Sequence, residues 1–310
     1  MEASISLKNV TKRYATRQAL KRISFGVEKG SIFCVAGPSG AGKSTLLEIL
    51  TTQIRPDDGV IYIHGLNLAE SPEKVRMLSG YMPDCNTLNY DATVYENLRL
   101  HGLLHGLKPE TTASRVMRYL DRFQLLEFAH EMPENLSAGL QRRVVFTRAV
   151  MHHPEILYLD EPFAGVDYVT HKLMMDYLEE MHGNHTVFLS SRNLQQVEKI
   201  ADRVVIMHAG EILTDGTPDK LKSDVQQHPH YRITFKTANP KYAELLKSLE
   251  SVIRIEQAGR TCTLQLRSPA DFANIVRQFQ VDQIHNLQII SPDLSDVLFE
   301  FTDTREPEVL

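Results

Sequence analysis

The chain has 310 residues, of which 42% are hydrophobic and 24% are charged, and its formal net charge is -5. These values are typical of a globular protein with one large domain or two ordinary ones, and they exclude a disordered chain. The acidic balance also argues against a dedicated nucleic-acid-binding protein.

The N-terminus and the cysteines give no indication of export. Residues 1–10 lack the charged and then apolar layout of a signal peptide, and no run of about 18 apolar residues is present to span a bilayer. Cys34, Cys85 and Cys262 are far apart and show no paired metal-ligand spacing. We therefore expect free thiols in a reducing compartment, with Cys34 in the core, and a membrane role only through a partner.

The first predicted elements are three short strands rich in β-branched residues, at Ile5–Val10, Ile23–Val27 and Ser31–Ala36. Tyr14 lies on the loop between the first two. An aromatic ring there can stack on an adenine, although a single tyrosine is equally often a packing or surface residue.

A phosphate-binding loop follows the third strand. The run from Gly37 to Thr45 matches Gly-x-x-x-x-Gly-Lys-[Ser/Thr], and a helical pattern begins near its lysine. Backbone N–H groups of such a turn and the positive end of the helix dipole bind phosphate, while a ligand-free glycine turn is the alternative. The lysine is expected at the β- and γ-phosphates of ATP, and the serine hydroxyl at Mg²⁺. The expected nucleotide-binding residues here are Gly37, Pro38, Ser39, Gly40, Ala41, Gly42, Lys43, Ser44 and Thr45.

Strand patterns at Val60–Gly65 and Leu78–Met82 precede a helical insert, expected over about residues 85–153. Thr93 is expected to cap the helix that starts at Val94, and Pro109 to start a second helix that runs through Leu125.

The alternation of strands and helices then resumes and predicts a parallel sheet. The expected elements are a strand at Glu155–Asp160, a helix near Val169–Met181, a strand at Thr186–Ser190, a helix at Leu194–Ala201 and a strand at Val204–His208.

The acidic pair Asp160-Glu161 ends the first of these strands. A carboxylate at that place, beside a phosphate loop, can hold Mg²⁺, which is the expected role of Asp160. Glu161 is then the candidate general base for the attacking water. The alternative is an acidic pair that only caps the next turn.

A further motif, Leu136-Ser-Ala-Gly-Leu-Gln-Arg-Arg-Val144, precedes a helix, and Ser137 is a plausible N-cap. Together with the two nucleotide motifs, it resembles the signature of the ATP-binding cassette (ABC) family, with Ala138 in place of a glycine and Leu140 in place of a glutamine. The resemblance covers essentially the whole chain. It implies a P-loop NTPase fold of class α/β, with a mixed, mainly parallel sheet, an antiparallel β edge and a helical insert.

The resemblance also implies roles for individual residues. Tyr14 corresponds to the adenine-stacking aromatic, and Asp167 to a loop that contacts the partner cassette. Ser137, Ala138 and Gly139 would bind the γ-phosphate of ATP held by a second cassette, so that two copies close head to tail over two ATPs.

Two residues depart from the family pattern. Asp84 follows Tyr81-Met-Pro where glutamine is usual, and Arg192 stands where a histidine usually contacts the γ-phosphate. Asp84 can still ligate Mg²⁺, but it is shorter and charged. Arg192 can hold a phosphate and does not lose its proton, so both residues count as catalytic candidates that predict a low hydrolysis rate.

The expected domains are a cassette at residues 1–224 and a small α+β accessory domain at 225–310. The accessory domain is expected to contain strands at Tyr231–Lys236 and Thr261–Arg267 and helices near Tyr242–Glu250 and Ala270–Gln280. The run from Ser291 to Phe301 resembles the tail of stand-alone cassettes of the multidrug and sodium-exporter type.

The resulting functional hypothesis is an ATP-binding and ATP-hydrolysing subunit that powers a membrane exporter. Its partners would be a second cassette, in a homodimer, and integral membrane permease subunits, with no nucleic acid, and it would lie on the cytoplasmic face of the cell membrane. One alternative is a cassette that binds ATP and regulates with slow or no hydrolysis. Another is a soluble ABC protein of DNA repair or translation.

Overall fold

The computed structural model describes residues 3–15, 17–225, 230–280 and 282–290. Contacts divide the chain into two compact units, Met1–Thr217 and Pro218–Leu310. The helix Pro218–Val225, which the sequence-based boundary at 224 would cut, belongs to the second unit.

The first unit alternates strands and helices, in agreement with the predicted α/β class. Its strands are β1 (Ala3–Tyr14), β2 (Arg17–Glu28), β3 (Ile32–Ala36), β4 (Asp58–Ile63), β5 (Leu66–Asn67), β6 (Ser79–Met82), β7 (Ile156–Asp160), β8 (Thr186–Ser191), β9 (Arg203–His208) and β10 (Glu211–Gly216). Its α-helices are α1 (Lys43–Leu50), α2 (Pro72–Leu78), α3 (Val94–Leu104), α4 (Pro109–Arg122), α5 (Ala138–Val150) and α6 (Tyr168–Met181).

A mainly parallel sheet places the functional residues at one edge. Within the described residues its strand order is β10-β9-β3-β8-β7-β6, with all neighbours parallel except β10 and β9. Every residue of β3, β7 and β8 is buried, which explains their continuous apolar runs. Because parallel strands end at the same edge, Ala36 pairs with Ser191 and Asp160 with Ser190 there.

A separate antiparallel sheet, of order β2-β1-β4-β5 among the described strands, covers the parallel sheet. Phe25 of β2 stacks on Phe33 of β3 with ring centroids 5.1 Å apart, and Phe33 stacks on Phe188 of β8 at 5.4 Å. These rings join the two sheets through one hydrophobic core. The sheet β2-β1-β4-β5 is the antiparallel part of the predicted fold.

The segment between β6 and β7 is helical, as predicted. Thr93 forms a capping box with Glu96 at the start of α3, and Pro109 is the first residue of α4. None of residues 83–155, all of which are described, is in a strand. No helix in the described part of the chain is long and apolar enough to cross a membrane.

The predicted helix over Leu194–Ala201 is wrong. The structure has a 3-10 turn at Leu194–Gln196 followed by further turns. Leu194, Val197 and Ile200 are buried at intervals of three residues, which suits the three-residue repeat of tight turns better than an α-helix.

The second unit is a βαββαβ fold preceded by a helix. Its elements are α7 (Pro218–Val225), β11 (His230–Phe235), α8 (Pro240–Lys247), β12 (Val252–Ala258), β13 (Thr261–Leu266), α9 (Asp271–Val276) and β14 (Ile284–Ile290). The described strands form an antiparallel sheet of order β12-β13-β11-β14. The sequence predicted β11, α8, β13 and α9 but missed β12 and β14, and the run Ser291–Phe301 lies outside the described residues.

The three cysteines are free, as expected, with Cys34 and Cys262 buried and Cys85 exposed. Burial raises the pKa of the Cys34 thiol far above its usual range, so this side chain is an inert member of the core.

Candidate functional site

A cavity of about 350 Å³ lies at the carboxyl edge of the parallel sheet. It brings together residues that are far apart in the sequence, because the strands that carry them end at the same edge. The predicted site residues that line it are Tyr14, Ser39, Gly40, Gly42, Lys43, Ser44, Thr45, Asp84, Glu161 and Arg192. The members of the Gly37–Thr45 loop that do not line it are Gly37, Pro38 and Ala41.

The loop requires glycine where the chain passes close to other backbone. Gly42 has φ 106°, and a Cβ there would lie 2.5 Å from the carbonyl oxygen of Ala19. At Gly37 a Cβ would lie 2.2 Å from the carbonyl oxygen of Met207. Gly42 precedes α1 without a side-chain cap, so the first N–H groups of this helix remain available to an anion.

Lys43 closes the loop from inside. Its Nζ donates to the carbonyl oxygen of Gly37 at 2.7 Å and of Pro38 at 3.1 Å, and it lies 3.6 Å from Oε1 of Glu161. Burial lowers the pKa of Lys43, against the charge of Glu161, which raises it. An anion beside this ammonium group would offset the cost of its burial, which fits a phosphate group.

Asp160 places a buried carboxylate beside the phosphate loop. Ser190 Oγ donates to Asp160 Oδ1 at 2.5 Å, and Ser44 is a second hydrogen-bond partner of this carboxylate. Burial nevertheless raises the pKa of Asp160, with these hydrogen bonds acting in the opposite direction. The site therefore places a buried carboxylate and a hydroxyl together and short of a cation, as hard oxygen ligands for Mg²⁺ require.

Glu161 is held in a strained position. Its backbone φ is 46°, in the left-handed region that non-glycine residues rarely adopt, and its N–H donates to Ser190 Oγ at 3.0 Å. Both carboxylate oxygens accept from Arg192, Oε1 from the Nε at 3.0 Å and Oε2 from the backbone N–H at 3.0 Å. The candidate base is thus tethered by one of the two residues that depart from the family pattern.

Asp84, the other residue that departs from the family pattern, lies close to the same arginine. Asp84 Oδ2 is 3.8 Å from Nη2 of Arg192, and Arg192 Nη1 donates to Ser39 Oγ at 3.4 Å. Arg192 therefore links the phosphate loop, the candidate base and Asp84.

Tyr14 and Arg17 form the outer wall of the cavity. Tyr14 is 44% exposed, and its hydroxyl is 3.4 Å from Glu48, so its ring is accessible for stacking. Arg17, which the sequence did not single out, donates from its guanidinium to the carbonyl oxygen of Gly40. Arg17 therefore supports the loop from outside and adds positive charge to the cavity wall.

Arg142 is the main residue that sequence reasoning missed. It is buried, and its guanidinium donates to four carbonyl oxygens: Pro83 at 2.6 Å, Asp84 at 2.8 Å, Asp160 at 2.9 Å and Glu161 at 2.8 Å. It thereby joins the first turns of α5 to both acidic segments of the site. The paired arginines after the α5 N-cap were the available signal.

The predicted signature residues lie elsewhere in the same chain. Ser137 caps α5 through a hydrogen bond from the Leu140 N–H at 3.3 Å, which confirms its predicted capping role. Asp167 caps α6, and its Oδ2 would be 2.7 Å from a Cβ at Gly139. Ser137, Ala138, Gly139 and Asp167 do not line the cavity, so the structure brings them together with each other but not with the phosphate loop.

Comparison with known proteins places this geometry in a family. The family model "ABC transporter" matches residues 20–164. The chain is 31% identical over 224 residues to the daunorubicin resistance ATP-binding protein DrrA3 of Streptomyces coeruleorubidus, covering 72% of this chain and 71% of the relative. It is 33% identical over 217 residues to the uncharacterized ABC transporter ATP-binding protein MJ1023 of Methanocaldococcus jannaschii, covering 70% and 78%.

A solved structure agrees with the sequence comparisons. The dimeric post-hydrolysis state of the ATP-binding cassette MJ0796, bound to ADP and Pi, matches with a TM-score of 0.65 and 27% identity, over 69% of this chain and 98% of that one. The match confirms both the predicted P-loop NTPase fold and the resemblance drawn from the sequence motifs. The chain therefore belongs to the ABC transporter family, as one of its ATP-binding cassettes.

Proposed function

We propose that this protein is the ATP-binding and ATP-hydrolysing subunit of an ABC exporter, and that two copies close over two ATP molecules. The observation that carries the proposal is the convergence of the phosphate loop, Glu161 and Asp84 on one cavity, with Asp160 hydrogen-bonded to Ser44 of that loop. The buried ammonium of Lys43 and the buried carboxylate of Asp160 are the charged groups that would bind the phosphates and Mg²⁺ of bound MgATP.

The residues of the loop would bind and orient the triphosphate. Lys43 and the N-terminus of α1, which line the cavity, would bind the β- and γ-phosphates, and Tyr14 would offer a ring for the adenine. Mg²⁺, when bound, would neutralise charge that develops on the phosphates, with Ser44, Asp160 and Asp84 as its ligands.

Glu161 would then act as the general base for the attacking water. The carboxylate must first leave Arg192, because each of its oxygens accepts a hydrogen bond from that residue. The guanidinium, whose Nη1 donates to Ser39 of the phosphate loop, would then bind the γ-phosphate.

Two copies are needed to complete each site in this account. Ser137 and Gly139 lie outside the cavity of their own chain, at the start of α5, where the exposed Ser137 can face the ATP of a second chain. The dimeric MJ0796 cassette is a structural precedent for such pairing. ATP would favour the closed dimer through its higher affinity for that state.

The link to export rests on the relatives. DrrA3 is named a daunorubicin resistance protein, and another relative, YbhF of Escherichia coli, a probable multidrug transporter protein. We therefore propose that closure of the dimer drives separate membrane permease subunits, with the cassette on the cytoplasmic face of the membrane. No described helix spans a bilayer, so the association would run through those subunits.

Gel filtration of the Glu161→Gln variant tests this proposal. In this variant ATP should bind without being hydrolysed, so a dimer should form with ATP and dissociate when ATP is removed. Adding Ser137→Glu places a negative charge at the exposed start of α5, opposite the γ-phosphate, and should abolish the dimer without changing ATP affinity. A dimer that is insensitive to ATP or to Ser137→Glu would contradict the head-to-tail arrangement.

A second candidate function is a regulatory cassette that hydrolyses ATP slowly. The specific observation that favours it is the engagement of both Glu161 oxygens by Arg192, together with the 3.8 Å approach of Asp84 to the same guanidinium. Arg192→His combined with Asp84→Gln should then raise turnover, and unchanged turnover would count against this alternative.

A further inference from the structure

Three histidines form a cluster at the junction of the helical insert and the parallel sheet. His101 is in the last turn of α3, His105 follows that helix by one residue, and His152 lies just after α5. One ring nitrogen of each lies within 4.8 Å of the others. Because positions four apart share a face of a helix, α3 aims His101 and His105 at the same point.

The ring nitrogens in this cluster lack partners. His101 Nε2, His105 Nδ1 and His152 Nδ1 are buried and find no hydrogen-bond partner among the described residues. Three such groups in one place are costly if nothing binds them, because each loses its contact with water.

The tautomer of His152 is set by the backbone. Its Nε2 is 3.1 Å from the carbonyl oxygen of Ser79, to which only a protonated nitrogen can donate. The unpartnered Nδ1 therefore carries a lone pair that a metal can bind. A ring N–H held by a carbonyl while the other nitrogen faces the centre is the arrangement that supports a metal-ligating histidine.

Burial favours the neutral form of these imidazoles, which is the form that binds a metal. Burial lowers the pKa of His101 to about 2 and of His152 to about 4, and it also lowers the pKa of His105. Neutral imidazole is a strong ligand for Zn²⁺ and related transition metals.

We propose that His101, His105 and His152 form a Zn²⁺ site with an open fourth coordination position. His101 and His105 line a cavity of about 620 Å³, which leaves room for a water or another ligand. Three protein ligands and one open position are characteristic of accessible zinc sites.

Metal binding requires the rings to close inwards and to reorient. Zinc-to-nitrogen distances of about 2.0–2.1 Å place tetrahedral ligand atoms roughly 3.3 Å apart. Because the ring nitrogens lie within 4.8 Å of one another, they must approach by at most about 1.5 Å. The rings of His105 and His152, stacked at 3.8 Å, must splay, which rotation about the side-chain torsions allows.

The surrounding charge selects the fourth ligand. The guanidinium of Arg148 lines the same cavity, and its charge contributes to the lowered pKa of His101. A dication beside it is best accommodated with an anionic fourth ligand. Cys85 also lines this cavity but is not among the grouped ligand atoms, so the fourth position is open to a small anion from solvent, such as hydroxide.

The site would couple the insert to the nucleotide cavity. Its ligands come from the ends of α3 and α5, and His152 is anchored to Ser79, the first residue of β6. Asp84 and Cys85 follow β6 and line the larger cavity. Zinc would therefore fix the insert against the sheet edge beside Asp84, a property separate from ATP hydrolysis.

Metal titration of tag-free, EDTA-treated protein without nucleotide tests the proposal. We expect one Zn²⁺ per chain and a rise in the thermal midpoint, and we expect Co²⁺ to give the intense visible absorption of a tetrahedral site. His101→Ala and His105→Ala should each weaken binding by at least about 100-fold, because a ligand is lost.

The matched control is His153→Asn. His153 adjoins the cluster but bonds to Arg118 and Tyr119, and its φ of 58° is one that asparagine tolerates. The proposal is overturned if the wild type binds Zn²⁺ no tighter than His105→Ala does, or if His153→Asn weakens binding equally. Should the alanine variants not fold, a weak octahedral Co²⁺ spectrum of the wild type would overturn it alone.

Discussion

Replacing Arg192 with histidine should accelerate the hydrolytic step. The substitution removes the Nε donor that holds Glu161 Oε1 at 3.0 Å but keeps the backbone N–H that holds Oε2. A hydrogen bond to a charged group contributes about 1.5–3 kcal/mol. The Arg192 side chain is 49% exposed, so solvent screening reduces the restraint to roughly 1 kcal/mol. Its loss should raise the single-turnover rate by roughly fivefold.

The assay is single-turnover ATP hydrolysis at saturating ATP and Mg²⁺, so that any change in ATP affinity does not affect the rate. Arg122→His is the matched control, because Arg122 pairs with Glu180 on the surface and lines a different cavity. An Arg192→His rate equal to the wild-type rate would refute the restraint on Glu161. A slower rate would show instead that the guanidinium acts on the phosphates.

Three further predictions test the supports of the site and the fold. Arg142→Lys should lower the free energy of unfolding, measured by urea denaturation, by about 2–4 kcal/mol, because one ammonium group cannot reach all four carbonyl oxygens. A change near zero would contradict the role of Arg142 in joining these segments. Tyr158→Phe should leave the free energy of unfolding unchanged or raise it by about 1 kcal/mol, because the buried hydroxyl has no partner among the described residues. Tyr177→Phe should lower it, because it removes a 3.0 Å hydrogen bond to the Tyr119 hydroxyl. The reverse order would be incompatible with these contacts. Thr93→Ala should lower the free energy of unfolding by about 1 kcal/mol, because it removes the capping box of α3. The neutral control is Ser71→Ala, since Ser71 is an N-cap whose side chain makes no capping hydrogen bond. Equal effects of the two substitutions would contradict the capping role of Thr93.

The parts of the site that the sequence predicts well are local in the chain. The run Gly37–Thr45 carries its own turn, lysine and hydroxyl, and Asp160-Glu161 ends a strand whose apolar pattern is unambiguous. Parallel pairing then brings these segments to one edge, as the alternation of strands and helices implied.

The features that sequence reasoning missed depend on contacts between distant segments. Arg142 bonds to carbonyls of two other segments, and backbone carbonyls leave no mark in a sequence. The histidine cluster needs His152, which comes from a different helix end than the His101–His105 pair. The 3-10 turn at Leu194–Gln196 was missed because buried residues at intervals of three are also compatible with a helix.

Hydrolysis by Glu161 is tested most directly by comparing wild-type protein and Glu161→Gln in single-turnover ATPase at saturating ATP. We expect the variant to be about 10²–10⁴-fold slower, as for the loss of a positioned general base, with the same ATP affinity. Equal rates for the two proteins would contradict the assignment of Glu161 as the base of an ATP-hydrolysing cassette.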